Sequence, residues 1–114
     1  MREEILKYLN KKVSIQIDRP INSKHPKFNY DYPINYGFVP GTKNTDGEEI
    51  DAYLLGVKHP VKQYEGICIA IIHRIDDDDD KLIIVPERHE EFTDEQIKDQ
   101  THFQEQYFQS KIYR

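Results

Sequence analysis

The chain has no second cysteine. Cys68 stands alone, so no intramolecular disulfide can form, which fits a reducing compartment. It lies inside the apolar run from Ile67 to Ile72, where a thiol reads as a small buried side chain rather than a nucleophile. Long apolar stretches are missing too. None approaches the ~20 residues needed to span a bilayer. The opening segment MREEILKYLNKK lacks the apolar core of a signal peptide. The expectation is a cytoplasmic protein. Nor is there an excess of positive charge: 16 Lys and Arg stand against 21 Asp and Glu, a net charge of −5. That balance argues against general attraction to nucleic acid or to an anionic membrane. No repeat, linker or compositional break divides the 114 residues. Residues 1–114 therefore read as one domain with a modest core.

What is present is acid, concentrated in two patches. The first closes the stretch YPINYGFVPGTKNTDGEEID, residues 32–51. Pro and Gly mark tight backbone geometry along it, and Asp46-Gly47 is a strong turn signal. Asp46, Glu48 and Asp51 fall at the entrance of the apolar run from Ile50 to Leu55. Two carboxylates ~4 Å apart repel by about 4 kcal/mol at an effective dielectric of about 20, so a cation between them would relieve the cluster. The plain alternative is a solvated acidic loop. The second patch is the aspartate run from Asp76 to Asp80. Consecutive aspartates make a poor hairpin tip unless something binds there. Hard oxygen ligands suit Mg²⁺, Mn²⁺ or Ca²⁺, although the spacing matches no EF-hand loop. Two carboxylate patches with tyrosines and lysines nearby match the needs of a metal-assisted phosphoryl-transfer site.

Hydrophobic spacing gives the elements that carry these patches. A short helix is expected over Arg2–Leu9, with Ile5, Leu6 and Leu9 on one side and Asn10 as its stop. Val13 to Ile17 alternates and reads as a half-buried strand. Residues 20–33 hold three prolines and read as an ordered loop. Tyr36–Val39 and Ile50–Leu55 are short strands. Gly66–His73 is a strand buried on both faces, joined through the aspartate run to a returning strand, Lys81–Val85. Thr93 and Gln96 form a capping box, with Phe92 and Ile97 as a hydrophobic staple. The helix that follows is expected to present Ile97, Thr101, Gln104 and Tyr107–Phe108 on one face, with Lys111 at its negative end. The pattern predicts a mainly β fold with α: a small, partly open antiparallel barrel with a C-terminal helix packed outside and a short N-terminal helix.

Taken in order, YPINYGF (32–38), DGEEID (46–51) and the acidic loop running into Lys81-Leu82-Ile83-Ile84-Val85-Pro86 resemble the soluble family I inorganic pyrophosphatases. The resemblance covers roughly Val13 to Tyr107. It implies an OB-like barrel and Mg²⁺-dependent hydrolysis of pyrophosphate, a small phosphoanhydride, with Mn²⁺ as the alternative ion. By position, Asp46 and Asp51 resemble metal-bridging carboxylates, and Asp76 or Asp77 with Asp79 resemble the aspartates that hold further ions. Glu48 stands where an aspartate helps deprotonate the attacking water. Lys81, Tyr36 and Tyr107 resemble phosphate-binding groups, and Asp51 and Tyr36 count with Glu48 among the catalytic set.

Several positions depart from the family pattern. The chain is short between Ile17 and Tyr32, where relatives insert a hairpin bearing a phosphate-binding lysine and arginine. Phe108 replaces a common lysine, Gln16 a first-strand glutamate, and Glu48 is one methylene longer than the usual aspartate. Arg19, His25, Lys27, Lys43, His73 and Arg74 are available as replacement cations, with Lys27 and Arg19 favoured. Depletion of phosphate-binding charge keeps two other readings open: hydrolysis of a different phosphoanhydride or phosphoester such as a nucleotide, and metal or phosphate binding without catalysis. A homo-oligomer is left open by the resemblance.

Overall fold

The computed structural model describes residues 3–44, 47–77, 79–89 and 91–114, with Glu3 through its backbone only. Alternation of small apolar and polar residues sets β1 (Lys12–Arg19), whose Val13 and Ile15 point inward. β2 (Asn35–Val39), β3 (Ile50–Leu54), β4 (Gln63–Arg74) and β5 (Asp80–Val85) complete a barrel in the order β1-β2-β3-β5-β4. The barrel closes where β4 returns to β1, pairing Lys12 with Ile67 and Gln16 with Gln63. It is therefore closed rather than partly open, and mixed rather than wholly antiparallel. β3 and β5 run parallel, with Asp51 beside Lys81.

β4 is long enough to serve two partners on one edge. Its first half pairs with β1, and its second half pairs with β6 (Ser110–Tyr113), setting Ile72 opposite Ile112. β6 occupies residues for which the residue pattern predicts no strand. The expected hairpin of β4 and β5 is present, with His73 opposite Asp80.

Two apolar clusters hold the barrel. The inner one draws Val13, Val39, Ala52, Cys68 and Leu82 from the five barrel strands, and Ile5 of α1 (Glu3–Leu6) plugs it. Leu9 and Tyr8 pack partly against that cluster, but Leu6 is 39% exposed, so the expected apolar side of the first helix is narrower than its spacing implied. α1 ends at Leu6, short of the expected Leu9; Asn10 closes the turns that follow at φ 63°, and its N–H bonds the Cys68 carbonyl at 2.7 Å. The outer cluster joins Tyr53, Ile69, Ile83 and Val85 to Ile97 of α2 (Asp94–Glu105). Burial on both sides explains why β5 reads as an unbroken apolar run after Lys81.

The capping box of α2 is formed as expected. Gln96 N–H donates to Thr93 Oγ1 at 3.1 Å, and Thr93 N–H donates to Gln96 Oε1 at 2.8 Å. The helix ends earlier than expected. Its buried face is Ile97, Thr101 and Glu105; Tyr107 and Phe108 lie beyond it, and Lys111 belongs to β6. Gly37 is required where β2 crosses β1, because a Cβ there would overlap the Gln16 carbonyl. Among the described residues, no helix is long and apolar enough to cross a membrane.

Candidate active site

The parallel pairing of β3 and β5 puts Asp51 and Lys81 side by side. Lys81 is almost completely buried, with its ammonium on the floor of a cleft of about 670 Å³. Nζ donates to Asp51 Oδ2 at 2.8 Å, to Tyr36 Oη at 2.8 Å and to Asp79 Oδ2 at 3.0 Å. One cation therefore draws together a carboxylate from β3, a phenol from β2 and a carboxylate from the end of the acidic loop. Burial opposes the charge on Lys81, but Asp51 and Asp79 hold its pKa above the ordinary lysine value.

Burial raises the pKa of Asp79, and Lys81 and Arg74 partly offset the rise. Asn44 Nδ2 donates to Asp79 Oδ1 at 2.6 Å. Tyr36 is pushed well above the ordinary phenol range, first by burial and then by the Asp51 charge, so it stays a neutral hydroxyl.

Behind Asp79 stands a second buried cation. Arg74, at the end of β4, donates through Nη1 to Asp79 and Asp77, each at 3.3 Å. Its other edge grips Glu105 with two bonds, Nε to Oε1 at 3.0 Å and Nη2 to Oε2 at 2.7 Å. The Phe108 ring centroid lies 3.7 Å from the guanidinium carbon. Glu105 also accepts from Tyr53 Oη at 2.6 Å, and Gln104 Nε2 donates to the same phenol at 2.8 Å. Tyr30 and Tyr32 donate to Gln104 Oε1 at 3.2 and 3.4 Å. A continuous polar chain thus runs from the loop of residues 20–33, through α2, to the acidic hairpin.

The structure brings some of the expected residues together and leaves others apart. Tyr36, Asp51, Asp79, Lys81, Arg19 and Tyr107 all line the cleft. Lys27 does not, although its neighbours Pro26 and Phe28 do. Glu48 is exposed beside β3 and is not among the lining residues. Asp76 is exposed, and its Oδ1 accepts the Gln109 N–H at 3.3 Å. Asp77 is exposed and paired with Arg74. Asp46 lies outside the described residues. The hairpin tip is only partly a solvated acidic turn: Asp79 and Asp80 are buried, and Asp80 Oδ1 sits 2.7 Å from His73 Nδ1.

Sequence reasoning gave no role to Asn44 or Glu105, and placed Gln104 only on the packing face of the helix. A glutamate at helical spacing from Ile97 and Thr101 was the available signal, but a charged residue on such a stripe reads as solvent-facing. Arg74 and His25 stood only among the available replacement cations. Asn35, inside the YPINYG motif, is fully buried; it accepts the Ile21 N–H and donates to the His59 carbonyl, tying the ordered loop to the barrel.

Hard oxygen donors thus surround a buried lysine on the floor of an open cleft in an OB-like barrel. The inorganic pyrophosphatase family model matches residues 3–113. The chain belongs to the inorganic pyrophosphatase family. The inorganic pyrophosphatase of Rickettsia prowazekii is 31% identical over 112 residues, covering 79% of this chain. This chain spans only 64% of the length of that curated relative. The inorganic pyrophosphatase of Aeropyrum pernix is 35% identical over 60 residues, which is 48% of this chain and 34% of that one. In fold, the chain resembles the crystal structure of inorganic pyrophosphatase from Ehrlichia chaffeensis with a TM-score of 0.69 at 20% identity, covering 90% of this chain and 85% of that one. The Helicobacter pylori inorganic pyrophosphatase gives 0.65 at 17% identity, over 93% and 84% of the two chains.

Proposed function

We propose that the protein hydrolyses inorganic pyrophosphate to two phosphates with the help of a divalent cation, Mg²⁺ or Mn²⁺. The observation that carries this reading is the cluster of Asp51, Asp79 and Tyr36 around the buried Lys81 ammonium, open to the cleft. Family membership supports it.

The donor set fits such an ion. Mg²⁺ is commonly held by one or two carboxylates together with substrate phosphates and water, rather than by a closed protein cage. Asp51 is one-third exposed toward the cleft, and Asp79 lies across Lys81 from it. Among the described residues no group of three acidic, histidine or cysteine side chains forms a closed cage. Asp51 and Asp79 would hold the ion, with Asp46 as the proposed third ligand. When bound, the ion supplies neutralisation of phosphoryl charge and acidification of the attacking water.

The chain's own residues supply the rest. Lys81 fixes the separation of the two carboxylates and presents a cation to a phosphoryl oxygen. Tyr36 offers a neutral O–H to the same region. Tyr107 and Arg19, on the rim, would bind the departing phosphate, and Glu48 remains the proposed proton acceptor on the loop that feeds β3. Arg74 and Glu105 position Asp79 and touch no substrate atom in this scheme.

The expected result is phosphate release from pyrophosphate that depends on Mg²⁺, stops with EDTA and returns when Mg²⁺ or Mn²⁺ is restored. Release that survives complete chelation would contradict the metal requirement.

A further inference from the structure

The cleft is larger and more aromatic than two phosphate groups require. Its volume of about 670 Å³ falls within the roughly 300–1,000 Å³ typical of pockets that enclose drug-sized ligands. Along one side the rings of the loop of residues 20–33 form a ladder. His25 lies 4.8 Å from Phe28 and 4.9 Å from Tyr30, and Phe28 stacks on Tyr30 with an interplanar angle of 7°. Tyr30 and Tyr32 follow at 5.7 Å, reaching Tyr36 at 5.6 Å on the cleft floor. The inner members are held by Gln104. The outer Phe28 is not covered: it is 62% exposed, and Tyr107, outside the ladder, is 67% exposed, and both line the cleft. Burying the faces of such rings against a flat ligand is favourable.

The supply of cations is lean by comparison. Of the lysines and arginines lining the cleft, Lys81 already serves Asp51 and Asp79, and Arg74 serves Glu105, Asp77 and Asp79. Among the described residues, Arg19 on the rim is the remaining one. The cleft is thus polar at its floor and aromatic at its rim, a division suited to a ligand with a phosphate end and a planar end.

We infer that the cleft admits a phosphoanhydride carrying an aromatic ring, of which a nucleoside diphosphate is the simplest. Its phosphates lie over Lys81, and its base lies against Phe28. This rests on the phosphoanhydride-hydrolase reading above. In the reaction the oxygen of a water bonds to the terminal phosphorus while the bridging P–O bond breaks. Orthophosphate and a nucleoside monophosphate leave, and one proton passes to solvent.

The test compares ADP with pyrophosphate under the same Mg²⁺ concentration, for the wild type and for Phe28→Ala. Both substrates are expected to be hydrolysed. Loss of one stacking ring corresponds to roughly a tenfold change in affinity, so Phe28→Ala should raise KM for ADP about tenfold more than KM for pyrophosphate, with kcat for ADP little changed. Saturation-transfer NMR on the wild type should show contact with the adenine protons of ADP. Hydrolysis of pyrophosphate without hydrolysis of ADP would overturn this inference and leave the pyrophosphatase reading standing. So would equal KM changes for the two substrates, or no transfer to the adenine protons. Hydrolysis of neither by folded protein would overturn both.

Discussion

Lys81 and Cys68 are buried for opposite reasons, and both make the protein sensitive to alkali. Lys81 is charged inside the fold because Asp51 and Asp79 face it. With its folded pKa above the ordinary lysine value, its contribution to stability is complete below about pH 10.5 and is lost as the pH rises through the folded value. Cys68 has no exposed surface, and burial pushes its thiol from 9.0 up to about 12. The unfolded chain gives up that proton first, so stability falls between those two values, by up to about 1.4 kcal/mol per pH unit. The urea midpoint is therefore expected to drop steadily from pH 9 to pH 11, and Cys68→Ala should flatten the start of that decline. A constant midpoint over this range would show that Cys68 is not held as described. In the native state Cys68 should also resist Ellman's reagent at pH 8 and react only on unfolding; prompt labelling would contradict its burial. On activity, Glu48→Gln is expected to lower kcat by about 100-fold with little change in KM, as removal of a general base does. Steady-state kinetics that leave kcat unchanged would move the proton-accepting role elsewhere.

At the scale of elements, α2 works as a clamp. Its first turn was legible because Thr93 and Gln96 are spaced for reciprocal caps, and Thr93→Ala should cost about 1 kcal/mol. Its far end was not legible. Gln106 to Gln109 contain no glycine or proline to mark a stop, and Ser110–Tyr113 is too short and too mixed to announce an edge strand. Yet that end matters most, because Glu105 there holds Arg74, and Arg74 holds Asp79. Glu105→Leu would leave a buried guanidinium without its main partner, at a cost of about 3–5 kcal/mol. Urea denaturation measures both substitutions, and a loss for Glu105→Leu no larger than for Thr93→Ala would contradict the clamp. The acidic hairpin was legible as an element and misleading in detail. Equal spacing cannot show that Asp79 and Asp80 turn inward toward Lys81, Arg74 and His73 while Asp76 and Asp77 stay outside.

For the whole molecule, strand content followed from apolar alternation, whereas strand order did not. β3 and β5 are neighbours only because β4 crosses between them in sequence and then pairs outside, a long-range arrangement that no local pattern encodes. That one parallel pairing brings Asp51 to Lys81, so the site is a product of topology, although its members could be named from DGEEID and the lysine after the aspartate run. The loop of residues 20–33 shows the reverse. Its prolines marked it as ordered, but its rings gained a role only when folded against Gln104 and the cleft. Asp51 is central to the proposed chemistry. Phosphate release from pyrophosphate with saturating Mg²⁺ should be robust in the wild type. In Asp51→Asn, which keeps size and hydrogen bonding but removes the charge, it should fall by at least about 100-fold with the melting temperature still showing a folded protein. Wild-type-like release by folded Asp51→Asn, or no release by the wild type with either Mg²⁺ or Mn²⁺, would contradict the proposed chemistry of this site.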